Sequence, residues 1–314
     1  MQIFRGLEAC VREEYPLAPL TSYKVGGPAQ YYAEPADAKQ LGEVLRRTYD
    51  SGLPLYVLGY GTNLLIADRG VRGVVLHLPK AGFGKLKREG LHVCVGAGLS
   101  LPYLVNWSVA QGLSGLECLV GVPGTVGAAL RMNAGGKYGE LGTRVKSVWG
   151  CEFNGQPFHF LPGECGFVYR DSNLKSRLVA GCTLELEPAK ANLGREFMRR
   201  VIEEKRTTQP LWMRSAGCVF KNPKLENVPP AGKLIDDLGM KGLKVGGACV
   251  SFRHANFLVC EGQAKAADLA ELIRRIRQRV SLERGVELEL EIAAWGFGAD
   301  ELCAPKEGKT AQAA

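Results

Sequence analysis

From Gly115 to Ala129 the chain reads Gly-Leu-Glu-Cys-Leu-Val-Gly-Val-Pro-Gly-Thr-Val-Gly-Ala-Ala, and Asn133 to Gly139 continues as Asn-Ala-Gly-Gly-Lys-Tyr-Gly. A stretch so rich in small residues gives up side-chain packing and carries the extra entropy cost of glycine. A chain sustains that where something large lies against its backbone, so these residues predict a binding surface. No GxGxxG opens a βαβ unit and no GxxxxGK[ST] occurs, which removes the Rossmann fingerprint and the P-loop as explanations. An earlier turn, Gly59-Tyr60-Gly61-Thr62-Asn63-Leu64-Leu65, sits between two short apolar runs. It would present bare amides and a hydroxyl to a pyrophosphate, although a plain tight turn between strands reads from the same residues.

The rest of the chain supplies a mixed α+β pattern. Strands are expected at 31–34, 55–58 and 74–76, then 91–95, 145–153, 157–161 and 177–186, with helices over 37–49, from the Ser100 cap to about Gly112, and over 194–205. A last block holds a helix near 231–238, strands at 248–251 and 256–260, and an amphipathic helix marked by Leu269, Leu272, Ile273, Ile276 and Val280 with Gly285 as its cap. The residues before Thr21 read as a short leader, and the small, polar residues 303–314 as a disordered tail. At 314 residues the chain is long enough for two or three domains.

Composition narrows the function. The ten cysteines form no CxxC pair and no zinc spacing, so reduced thiols and no metal are expected. The net charge of +8 is spread along the chain, which argues against nucleic acid and leaves room for an anionic small molecule. Apolar runs stop short of the ~18 residues that span a bilayer, and Met1 to Arg5 lacks a secretory pattern, so a cytoplasmic protein without membrane insertion is expected.

The segment Ser215-Ala216-Gly217-Cys218-Val219-Phe220-Lys221-Asn222-Pro223 sets a thiol in a small-residue turn, followed by a cation and an amide. Taken alone it also reads as a buried, inert cysteine. Together with Tyr169-Arg170-Asp171-Ser172, Ala231-Gly232-Lys233-Leu234-Ile235, His254-Ala255-Asn256-Phe257, Leu288-Glu289-Leu290-Glu291 and the two glycine segments, it forms a series of motifs in fixed order. In that order the chain resembles the UDP-N-acetylenolpyruvoylglucosamine reductases of peptidoglycan synthesis, over nearly all of residues 21–296. No inserted segment of the kind that carries a lid tyrosine is visible, so the resemblance is to the shorter subgroup.

The resemblance implies a two-subdomain FAD-binding fold of the vanillyl-alcohol-oxidase type, at 1–78 and 79–205, followed by an α+β substrate-binding domain at 206–302. It implies bound FAD, NADPH as hydride donor, and UDP-N-acetylglucosamine-enolpyruvate as substrate, with a monomer expected. By the same resemblance, Arg170 grips the substrate carboxylate, Glu291 helps to polarise it, and Cys218 stands where the family usually carries a serine proton donor. FAD contacts are expected from Tyr23, Gly59, Tyr60, Gly61, Thr62, Asn63, Leu64, Gly121, Val122, Pro123, Gly124, Thr125, Gly127, Ala128, Asn133 and Gly135. Substrate contacts are expected from Arg206, Lys221, Asn222, Lys233, His254 and Asn256.

The residues carry their own chemical logic beside this. Arginine offers a planar, permanently charged fork suited to a carboxylate, and a thiol, with an ordinary pKa of ~8.5, is a stronger acid than a serine hydroxyl. Glu287, Glu289 and Glu291 alternate with apolar residues as a half-exposed strand does, and only the resemblance singles out Glu291. Tyr60, the Leu130-Arg131 pair and Leu290 depart from the family pattern, and of these Tyr60 and Arg131 bear on FAD affinity. Two other readings stay open from sequence: a different flavin enzyme on the same FAD-binding architecture, and a non-catalytic nucleotide-binding regulator.

Overall fold

The computed structural model describes residues 2–303. These form two compact units, and the chain passes between them five times. The first holds the chain up to Pro16 together with residues 28–62 and 72–207; the second holds Leu17–Gly27, Asn63–Val71 and the chain from Thr208 onward. Most of the tail expected at 303–314 lies outside the described residues.

The first unit contains two sheets. One runs in the order Val11–Pro16, Pro28–Ala33, Val71–His77, Leu55–Leu58, with the last pair parallel and the helix Ala38–Asp50 connecting Pro28–Ala33 to Leu55–Leu58. That helix begins where Asp37 accepts the Gln40 amide at 2.9 Å, while the Gln40 side chain accepts the Ala36 amide in return. The strand Val11–Pro16 falls in the stretch read from sequence as a leader. It pairs antiparallel with Pro28–Ala33, Val11 opposite Ala33, and buries Val11 while Arg12, Glu13 and Glu14 stay exposed. Its charges hide it from a hydrophobic pattern, yet they suit an edge strand, where charge discourages further pairing.

The second sheet is antiparallel in the order Pro157–Phe160, Val145–Glu152, Arg177–Glu185, His92–Gly96, Leu86–Glu89. Helix Leu101–Ala110 starts at the expected cap, Ser100, and helix Ala191–Thr208 buries Met198 and Val201 on one face. Val74, Leu76, Val93, Val95, Leu104 and Leu184 are wholly buried in one core.

The second unit combines the antiparallel sheet Lys244–Val245, Ala248–Val250, Leu258–Cys260 with the helices Ala231–Asp237 and Ala266–Arg284. The long helix buries Leu269, Leu272, Ile273, Ile276 and Val280 and ends at Gly285 in the left-handed conformation, φ +64°. Burying each such side chain contributes about 1.5–3 kcal/mol. Leu64–Ile66 pairs in parallel with Ala293–Trp295, residues far apart in sequence. Among the described residues no helix is long and apolar enough to cross a membrane, no His/Cys/Asp/Glu group is disposed to hold a metal, and no disulfide forms. The observed class is α+β.

Candidate functional site

In the first unit the glycines mark where three pieces of backbone close on one another. A Cβ at Gly59 would lie 3.0 Å from Thr125 Oγ1 and 3.3 Å from Ala128 Cβ, and one at Gly127 would lie 2.8 Å from Ala97 Cβ. Gly61 and Gly124 adopt φ of +60° and +121°, left-handed values that favour glycine. Thr125 caps the helix Val126–Arg131, its hydroxyl accepting the Ala128 amide at 3.3 Å.

The close approach leaves a narrow cleft between residues 57–59, 97–98 and 125–131. It holds about 40 Å³, a narrow crevice with room for a few waters or one small polar group. Val57, Leu58, Ala97 and Val179 line it with apolar atoms, Thr125 with a hydroxyl and Arg131 with a cation. Bare backbone, apolar walls and a positive charge fit FAD, which joins flat apolar rings through an anionic diphosphate.

Beyond the cleft, Asn133 is 2 % exposed and takes φ +42°. Its Nδ2 donates to Glu140 Oε2 at 2.7 Å and to the Val168 carbonyl at 3.1 Å, and its Oδ1 accepts the Gly142 amide at 2.9 Å. The side chain is therefore committed to holding protein loops together. Val168 and Asp171 exchange both backbone hydrogen bonds across a turn whose third residue, Arg170, has φ +58°. The Ser172 hydroxyl ties the far side of the turn to the Arg131 carbonyl at 2.8 Å. Arg170 thus projects from a turn fixed at both ends, its guanidinium carbon 5.2 Å from the centre of the Tyr169 ring.

A second cation stands near it. Lys205 Nζ donates to the Val120 carbonyl at 2.7 Å, beside Gly121, whose added Cβ would meet the lysine stem at 3.2 Å. Burial, and then repulsion from Arg170, hold the Lys205 ammonium below its ordinary pKa. The family resemblance points to its exposed neighbour Arg206; Lys205 itself carries no signal in the sequence, since a lysine in a charged helix stands out only once its burial is known.

In the second unit Cys218 follows Gly217, which has φ +81° and open space where a Cβ would point. Cys218 bridges to Phe257, and its neighbour Val219 accepts the Glu291 amide at 2.8 Å. Cys218 and Glu291 therefore lie one residue out of register on two hydrogen-bonded segments. Asn256, buried, clamps the next residue from both sides, accepting the Phe220 amide at 2.9 Å and donating to the Phe220 carbonyl at 2.8 Å. Asn63 Nδ2 donates to the Glu291 carbonyl at 3.0 Å.

The remaining expected residues divide similarly between contact and scaffold. Asn222 accepts the Ala231 amide at 3.1 Å and so caps the helix Ala231–Asp237. Lys221 pairs with Glu289 at 3.1 Å, and Lys233 with Asp237. Burial, with Lys241 nearby, depresses the pKa of His254, whose Nδ1 accepts the Asn256 amide at 3.2 Å. Tyr23 is wholly buried against Ala216, Cys260 and Cys218, and burial raises its phenol pKa, with the thiols adding to the rise. Leu64 is buried in the parallel strand pair, whereas Tyr60 is 41 % exposed.

Arg170, Arg206, residues 59–62, 121–128, Asn133 and Gly135 belong to the first unit; Tyr23, Asn63, Leu64, Cys218, Lys221, Asn222, Lys233, His254, Asn256 and Glu291 belong to the second.

Comparison with known proteins matches two family models: an FAD binding domain over residues 29–153, and the UDP-N-acetylenolpyruvoylglucosamine reductase C-terminal domain over residues 209–295. UDP-N-acetylenolpyruvoylglucosamine reductase 2 of Symbiobacterium thermophilum is 43 % identical over 291 residues, covering 91 % of this chain and 92 % of the relative. The reductase of Moorella thermoacetica is 41 % identical over 294 residues, 93 % of this chain and 96 % of the relative. The crystal structure of UDP-N-acetylenolpyruvylglucosamine reductase from Thermus caldophilus superposes with a TM-score of 0.78 at 38 % identity, covering 91 % of this chain and 99 % of that one. The chain carries an FAD-binding domain and is a flavin-dependent oxidoreductase. With such identity across nearly the whole length of both proteins, the chain belongs to the UDP-N-acetylenolpyruvoylglucosamine reductase family.

Proposed function

We propose that this chain reduces UDP-N-acetylglucosamine-enolpyruvate to UDP-N-acetylmuramate with NADPH as the reductant and Cys218 as the proton donor. The net change adds one hydride and one proton across the enolpyruvyl double bond. FAD, when bound, supplies the two-electron chemistry that receives a hydride from NADPH and delivers it to the substrate. The protein's own residues then deal with charge and the proton. Arg170 pairs with the substrate carboxylate as negative charge builds on it, Glu291 assists in polarising that group, and the Cys218 thiol gives its proton to the adjacent carbon.

The observation that carries this reading is the Val219–Glu291 hydrogen bond, which sets a thiol and a carboxylate on neighbouring segments beside open space at Gly217. The fixed turn under Arg170 is what a preorganised carboxylate clamp requires. Lys221, Lys233, Arg206, His254, Asn222 and Asn256 complete the substrate surface in this reading, the cations suited to a diphosphate and Asn222 and Asn256 acting through the backbone they hold. The chain belongs in this reading to the shorter subgroup and works as a cytoplasmic monomer, with subdomain boundaries near residues 78 and 205.

The test is anaerobic. Flavin-loaded protein is reduced with NADPH, the enolpyruvyl substrate is added, and flavin absorbance is followed. Rapid reoxidation with formation of UDP-N-acetylmuramate is the expected result. Flavin that accepts electrons from NADPH and then stays reduced would overturn the assignment of Cys218 as a competent donor.

A further inference from the structure

We propose that Arg131 is an anion-binding residue of the cofactor cleft, positioned to pair with the diphosphate of FAD. The inference rests on the FAD-binding role of the first unit and adds a residue that is not among the FAD contacts expected from the sequence. Arg131 ends the helix Val126–Arg131 and lines the cleft with Gly59, Gly98, Thr125 and Ala128.

The guanidinium is only partly satisfied by the protein. Nη2 donates to the Lys175 carbonyl, while Nε is buried without a hydrogen-bond partner among the described residues. Asp171, the acid of the neighbouring turn, is paired with Lys175 at 2.7 Å. Burial alone pulls the Arg131 pKa down, with no carboxylate acting on it. Arg131 is half-buried with its Nε shut off from solvent, and a cation drawn partly out of water without a counter-charge carries a cost that an incoming anion offsets.

The arginine is also held in place. Its carbonyl accepts the Ser172 hydroxyl at 2.8 Å and its Nη2 is fixed on Lys175, so little freedom remains to be lost when a ligand arrives. The isoalloxazine of oxidised FAD and its adenine are neutral near pH 7, and the negative charge lies on the diphosphate. A charge-dependent contact to oxidised FAD therefore reports that group.

The experiment uses the full chain, stripped of flavin and titrated with FAD at low and high salt, for the parent, Arg131→Gln and Arg131→Lys. Glutamine keeps a donor for the Lys175 carbonyl and removes the charge; lysine keeps the charge. The expected result is a loss of FAD affinity of about 10- to 100-fold in Arg131→Gln with a shallower salt dependence, and retention within about threefold in Arg131→Lys. Equal FAD affinity and salt dependence in Arg131→Gln and the parent would overturn the proposal, as would equal losses in the glutamine and lysine variants. If stripped Arg131→Gln does not stay folded by circular dichroism, the rate of flavin release from its loaded form in rising salt reads the same charge dependence, and a rate equal to the parent's overturns the proposal. A parent that takes up no FAD at all would instead remove the cofactor reading itself, a result distinguishable from either.

Discussion

The side-chain amide of Asn133 donates to the Val168 carbonyl at 3.1 Å, and through that bond one buried residue holds the turn from which Arg170 projects. The same side chain holds Glu140 and Gly142, so one amide sets the geometry of two loops at once.

Replacing Asn133 with alanine removes three hydrogen bonds and leaves a non-glycine residue at φ +42°. The expected cost is about 2–4 kcal/mol of stability, read by chemical denaturation of the first unit's transition. Asn133→Gly loses the same bonds but tolerates the backbone, so it should be less damaging by about 1 kcal/mol. Equal losses would show that the backbone conformation at this position carries no strain.

Two glycine-to-alanine changes should have opposite signs. At Gly127 the new methyl would lie 2.8 Å from Ala97 Cβ, an overpacked contact expected to cost about 1–3 kcal/mol and to lower flavin content. At Gly42, inside the helix Ala38–Asp50, nothing lies within 4 Å of the new carbon, so the change should stabilise by about 0.5–1 kcal/mol. Melting curves and the ratio of flavin to protein absorbance measure both.

For Cys218 the informative quantity is the separation of the two half-reactions. Cys218→Ser should retain substantial turnover, because a hydroxyl can occupy the same donor position. Cys218→Ala should leave flavin reduction by NADPH unchanged and slow reoxidation by substrate about 10²- to 10⁴-fold, the usual worth of a positioned proton donor. An alanine variant that reoxidises at the parent rate would be incompatible with a donor role. Alkylation should inhibit the parent more than the serine variant, which keeps the other nine cysteines but lacks the thiol at position 218, so the difference between the two reports modification at that site.

The pH dependence of stability should carry a His254 component. Burial and the Lys241 charge hold its folded pKa below the ordinary 6.5. Above about pH 7 the imidazole is neutral in both folded and unfolded chains and contributes nothing. As pH falls through 6.5 the unfolded chain binds the proton first, so stability drops, and the drop is complete once the pH is below the lowered folded value. His254→Gln should flatten the stability profile across that range. An unchanged slope between pH 7 and 5 would assign the acid sensitivity to other groups.

The sequence by itself determined the helix starts at Asp37 and Ser100, the left-handed stop at Gly285 and the buried stripe from Leu269 to Val280, because these depend on near neighbours and on periodicity. It also determined the family, through motifs whose order survives without any knowledge of their contacts. The edge strand Val11–Pro16 was not legible, since its charged residues mask a pattern that only its pairing with Pro28–Ala33 makes meaningful. Nor was the parallel pairing of Leu64–Ile66 with Ala293–Trp295, which joins segments more than two hundred residues apart. At the candidate site the sequence named Arg170, Cys218 and Glu291, but tertiary structure alone revealed what holds them: Asn133 beneath the Arg170 turn and Asn256 beside Cys218. It also separated Lys205 and Arg131 from the many surface cations. Burial and hydrogen-bond satisfaction belong to three-dimensional neighbours, and the cost of a buried charge appears only once those neighbours are in place.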